Sequence, residues 1–153
     1  MLTLNIVSNM PQIKIMDPIE RFRLVFTNID APKGGLPTMP LRMADLASDE
    51  LGNIMSKYAA WREFTEDRHC EACAVFSQAK SEYDLHVSRE MLSCSESTVS
   101  EKKARARTSE GSSALLKKLD ESEIYMTLLG NKLESFTNVL NILSRELTRR
   151  GVE

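Results

Sequence analysis

Apolar positions in the last third of the chain recur at alternating strides of four and three. Leu115, Leu119, Ser122, Met126, Leu129, Leu133, Phe136, Leu140, Leu143 and Leu147 follow one another in this way, and only Ser122 is not apolar. That spacing is the a/d seam of a coiled-coil helix. Tyr125, Leu128, Val139 and Ile142 widen the stripe, as expected for a helix with more than one packing partner. Thr98-Val99-Ser100-Glu101 is a capping-box sequence, so this helix starts near Val99 and is closed by Gly151. Gly111 lies inside it and costs about 1 kcal/mol relative to alanine. The expectation is one continuous helix over 99–150, kinked if anywhere at Gly111.

A second stripe precedes it. Leu51, Ile54, Tyr58 and Trp61 keep the same stride, and after a polar patch at Thr65 and Arg68 the pattern resumes with Ala72, Phe76, Ala79 and Tyr83. Ser48-Asp49-Glu50 reads as a helix start, with Ser48 as N-cap and two acids against the positive end of the dipole. The stripe predicts a helix over 48–92. Ser93 to Ser97 interrupts both patterns and reads as a turn. Two helices of about 45 and 50 residues, each roughly 70 Å long, joined by so short a turn must run antiparallel. With the turn centred near Glu96, Tyr58 and Trp61 face Leu133 to Leu140, and Asp49 and Glu50 lie beside Arg145, Arg149 and Arg150.

Residues 1–47 follow neither period. Pro11, Pro18, Pro32, Pro37, Pro40 and the Gly34-Gly35 pair cut them into short pieces. Leu2 to Val7 and Phe22 to Phe26 are β-favouring runs, and Asp17-Pro18-Ile19-Glu20 can start one helical turn. The segment reads as an extended arm with short strands, lying on the helices or on a neighbouring subunit. The alternative is a loose leader. The fold class is therefore all-α: a long, coiled-coil-like antiparallel two-helix hairpin with an irregular Pro-rich N-terminal arm. A bare hairpin has too much surface for its core, so a homo-oligomer is expected. Its seam, within and between subunits, is Tyr58, Trp61, Met126, Leu129, Leu133, Phe136, Leu140, Leu143 and Leu147.

Composition narrows the function classes. With 27% charged and 42% hydrophobic residues the chain reads as ordered and soluble. A net charge of −2 gives no global attraction to nucleic acid, but it conceals an asymmetry. The first 100 residues carry 10 basic and 14 acidic side chains, and the last 53 carry 10 and 8. Neither a membrane-spanning run nor a secretory signal is present, and three cysteines make no disulfide framework. A cytoplasmic location with reduced thiols is the expectation, with no membrane partner.

Chemistry has few candidates. His69-Cys70-Glu71-Ala72-Cys73 places two thiols on one helix face, but Cys94 would lie roughly 30 Å further along, too far to complete a four-ligand zinc site. No catalytic spacing, nucleotide loop or cofactor motif appears. No metal, no cofactor and no enzymatic activity are expected. The one basic cluster is Lys102-Lys103-Ala104-Arg105-Ala106-Arg107. Its four cations cover an arc of about 200°, a collar more than a stripe, and Arg89 joins them if the hairpin register holds. Such a cluster either is a solvated helix surface or makes sequence-independent contacts with phosphates. No aromatic stacking partners for bases lie nearby.

Leu51 to Trp61 (LGNIMSKYAAW), Thr98 to Arg107 (TVSEKKARAR) and Leu143 to Arg150 (LSRELTRR), with the helix layout between them, resemble bacteriophage proteins similar to UvsY, the recombination mediator. The resemblance covers residues 48–150 and leaves residues 1–47 without a counterpart. It implies a ring-forming helical homo-oligomer that binds single-stranded DNA. Such a mediator, in the host bacterial cytoplasm, helps a RecA-like recombinase displace the single-strand binding protein. The family's basic residues would map onto Lys102, Lys103, Arg105 and Arg107. Two alternatives stand beside it: a phage structural or assembly protein that uses the same helices for self-association, and a small inhibitor of a host defence protein.

Overall fold

The computed structural model describes residues 16–95 and 98–151. Among them there are four α-helices and no strand: α1 Pro18–Val25, α2 Ser48–Ser93, α3 Val99–Thr108 and α4 Glu110–Arg149. A 3₁₀ turn at Met43–Asp45 leads into α2. Helices α2 and α4 pack along each other as the two long arms of a hairpin. No helix among the described residues is long and apolar enough to cross a membrane.

The seam between the arms repeats every seven residues. On α2 the buried positions include Leu51, Tyr58, Thr65, Ala72 and Ala79; on α4 they include Ser122, Leu129, Phe136 and Leu143. A strict seven-residue repeat is shorter than two natural turns, so the arms must supercoil left-handedly to keep it in register. Thr65 belongs to this row. It is fully buried, and its hydroxyl donates to the Trp61 carbonyl at 2.7 Å. The polar patch expected there is no interruption, because a threonine that satisfies its hydroxyl within its own helix packs much as a valine does. The second row of the heptad, Met126, Leu133, Leu140 and Leu147, is only half-buried.

Side-chain size sorts along the hairpin. Its open end is filled by Leu51, Tyr58, Trp61, Phe136 and Leu143, with the Tyr58 and Phe136 rings 5.9 Å apart edge to face. That contact sets the register foreseen for Tyr58 and Trp61. Toward the closed end the seam residues shrink to Ala72, Ala79, Ser122 and Ser112. The arms approach closely enough there for each histidine to lie on a glycine. A Cβ on Gly130 would come 3.2 Å from His69 Nε2, and one on Gly111 would come 2.7 Å from His86 Cε1.

The arm departs from expectation in one piece. Phe22 to Phe26 is not a strand, since Phe22 to Val25 lie in α1. Asp17-Pro18 starts that helix, Arg21 N–H bonds the Asp17 carbonyl at 2.9 Å, and Phe22, Val25 and Phe26 fall on one face against Ala72, Tyr125 and Leu129. The helical period outweighs β propensity because it lets all three side chains bury together. The segment after α1 lies on the helices of its own chain. Trp61 Nε1 donates to the Gly35 carbonyl at 2.9 Å and the Tyr58 hydroxyl to the Pro37 carbonyl at 3.1 Å. The run Leu2 to Val7 lies outside the described residues.

Three helix ends also differ. Ala47, not Ser48, is the N-cap of α2, and its N–H is met by Glu50 Oε2 at 2.8 Å. At the far end of α4, Arg150 donates to the carbonyls of Met43 and Leu46 in the 3₁₀ turn, not to Asp49 or Glu50. Two carbonyls of one tight turn, the Met43 one also accepting the Leu46 N–H at 3.2 Å, offer the planar guanidinium fork fixed acceptors that flexible acids on the first turn do not. Finally, the second arm is not continuous. It breaks at Ser109, two residues before Gly111, and the backbone at Ser109 has φ −64° and ψ 154°.

Candidate nucleic-acid interface

The basic cluster forms its own short helix at the closed end of the hairpin. Thr98 and Glu101 start α3 as a reciprocal box: Glu101 N–H donates to Thr98 Oγ1 and Thr98 N–H to Glu101 Oε2, each at 3.2 Å. This satisfies two of the donors a helix start leaves unpaired. Ala106 is the one fully buried residue of α3, and Ser109 ends the helix. Lys102, Lys103, Arg105 and Arg107 thus sit on a ten-residue element held to the rest of the molecule by a small contact.

That contact divides the collar. Around the helix, Lys103 and Arg107 fall on one flank of the Ala106 contact line and Lys102 and Arg105 on the other, at about 100° per residue. Lys102 is half-buried, while Lys103, Arg105 and Arg107 are exposed. Arg105 lines a cleft of about 560 Å³ with Glu90, Ser93, Cys94, Ser95, Thr108 and Ser109. Arg89 is exposed on the last turns of α2, and the α2 residue that shares the cleft with Arg105 is its neighbour Glu90. The structure therefore sets the four α3 cations on one short helix in two pairs, and of these and Arg89 only Arg105 lines the cleft.

Four other cations of the second arm are held by carboxylates, while Arg145 and Lys132 are in no ion pair among the described residues. Lys118 Nζ is 2.6 Å from Glu82 across the hairpin, and the Glu82 carboxyl is held below its ordinary pKa by that bond and one from Gln78. Lys117 pairs with Glu121 at 3.7 Å. Arg149 and Arg150 both bind Glu146, whose carboxyl they pull from its ordinary 4.5 to about 2. In contrast, Arg89, Lys102, Lys103 and Arg107 make no ion pair with a carboxylate among the described residues. Unpaired, exposed cations are the ones an external anion can reach without first breaking a native contact.

The junction behind the cluster was not legible from motif spacing. Ser109 Oγ donates to the Ala106 carbonyl at 3.0 Å, the fully buried Ser112 hydroxyl reaches the same carbonyl at 2.5 Å, and His86 Nε2 lies 3.2 Å from Ser109 Oγ. The signal that could have found it is Ser109-Glu110, a serine followed by an acid, which reads as a fresh helix start. Elsewhere, His69 and Cys73 contact each other at 3.8 Å on one turn of α2. No group of three or more metal-ligating side chains occurs among the described residues.

No protein-family model, curated protein or solved structure matches the chain.

Proposed function

We propose that the chain is a single-stranded DNA-binding recombination mediator of the bacteriophage UvsY-like kind. In this reading it assembles as a homo-oligomer, with a ring as the expected form, and loads a RecA-like recombinase by displacing single-strand binding protein. The observation that carries the reading is α3: four cations among ten residues, on a separate helix at the exposed end of a hairpin, three of them without a carboxylate partner among the described residues. Phosphate contacts of this type position a strand without reading its bases. One such cluster binds weakly, but an oligomer repeats it, and linked weak sites gain avidity without new contacts.

Assembly has its own support. The half-buried row of α4 and the exposed Leu116, Ile124 and Ile142 leave apolar surface along the hairpin. The same surface favours the second reading, a phage structural or assembly protein whose helices serve self-association alone. Titrating a fluorescent single strand with wild type and with a variant carrying Gln at positions 102, 103, 105 and 107 separates the two. Loss of binding in the variant, with the oligomer intact by light scattering, supports the mediator. Absence of binding by the wild type at low salt supports the assembly protein.

A further inference from the structure

We infer that Ser109 is a one-torsion switch between the broken second arm described above and a continuous α3–α4 helix, and that His86 is the wedge that holds the break. Its φ of −64° is already helical, and only ψ, at 154°, departs from the helical value. A rotation of roughly 160° about that single bond merges the two helices. The residues on either side, Thr108 and Glu110, already end and begin helices.

Each state has identifiable support. In the broken state the Ala106 carbonyl accepts from both serine hydroxyls and from the Ser109 N–H at 3.4 Å, and the two hydroxyls lie 3.0 Å apart. Ser109 Oγ keeps lone pairs to accept with, and His86 Nε2 at 3.2 Å donates to one of them in the tautomer that carries its proton there. The histidine ring also occupies the space a side chain at position 111 would need. In the continuous state, the amides of Glu110 and Gly111 gain the carbonyls of Ala106 and Arg107 as i−4 partners. As first-turn residues of α4 they lack such partners in the break. Against this, α3 gives up the hydroxyl bonds to Ala106 and the His86 contact. An element that buries a single residue fully belongs to the part of a fold that opens most readily.

The switch re-aims Lys102, Lys103, Arg105 and Arg107 relative to α4 whatever those cations bind, so it stands or falls apart from the mediator reading. Gly111→Ala moves the balance in one direction, since residue 111 is helical in both states and its new methyl group displaces His86. Ser109→Ala removes the hydroxyl that His86 meets, without adding bulk near the ring. Hydrogen exchange resolved to single amides reads the state directly. In the wild type, the amides of residues 110 and 111 exchange quickly beside protected amides in the middle of α4. In Gly111→Ala they slow by about fivefold or more, the factor for about one net backbone hydrogen bond gained, and in Ser109→Ala they slow as well. If Gly111→Ala loses helix throughout by circular dichroism, Ser109→Ala alone decides. Unchanged exchange at both positions in the folded variants, or full protection there in the wild type, overturns the switch.

Discussion

Trp61 ties two parts of the chain with one side chain. Its ring packs against Phe26 at 5.9 Å and Phe64 at 5.7 Å, and its indole N–H holds the Gly35 carbonyl. Trp61→Phe keeps most of the packing and removes the donor, so it should cost about 1 kcal/mol. Trp61→Ala should cost about 3–5 kcal/mol. Urea denaturation of the two variants checks this order, and equal costs would show that the Gly35 bond and the packing are not separable. At the other end of α4, Glu146 binds Arg149 and Arg150 while Arg150 holds the 3₁₀ turn. Because the folded state lowers the Glu146 pKa from 4.5 to about 2, its contribution is present above about pH 4.5 and is lost as pH falls toward 2. Protection of amides in residues 43–46 should therefore fall across that window in the wild type. In Glu146→Gln the fall should be absent.

The helical arms show which parts of the heptad matter. Leu129 and Leu143 are fully buried in the seam, whereas Leu133 and Leu140 are half-buried beside it. Leu129→Ala should cost about 2–5 kcal/mol, the range for a large-to-small change in a packed core, and Leu133→Ala clearly less. Thermal melts that rank Leu133→Ala as the worse of the two would mean that the half-buried row is covered by another subunit. Both long arms were legible in the sequence because a seven-residue repeat reports burial directly, and the Thr98–Glu101 box marked the start of α3 from residue identity alone. The start of α1 at Asp17-Pro18 was legible but its extent was not, because Phe22, Val25 and Phe26 satisfy β propensity locally and reveal their shared face only against Ala72 and Tyr125. The break at Ser109 was missed for a similar reason. Gly111 drew the expectation of a kink on propensity, while the break falls at Ser109, whose hydroxyl lies 3.2 Å from His86 Nε2 across the hairpin, 23 residues away in sequence.

At the scale of the whole molecule, the hairpin concentrates aromatic packing at its open end and sets four cations on the short helix at its closed end. The basic cluster itself was legible, but its division by the Ala106 contact required the geometry of α3 on α2. If the molecule works through an assembly, light scattering should find an oligomer at micromolar concentration, and Leu133→Asp with Leu140→Asp should split it or unfold the chain. The most direct test of the central claim is the salt dependence of single-strand binding. Each phosphate neutralised on a single strand contributes a slope of about −0.7 in log K against log salt, so four engaged cations give about −2.8 for one subunit, and more when several subunits share a strand. The account predicts a slope at least that steep for the wild type, with affinity lost when positions 102, 103, 105 and 107 are Gln. A wild-type slope near zero, or the same slope and affinity in both proteins, would contradict it.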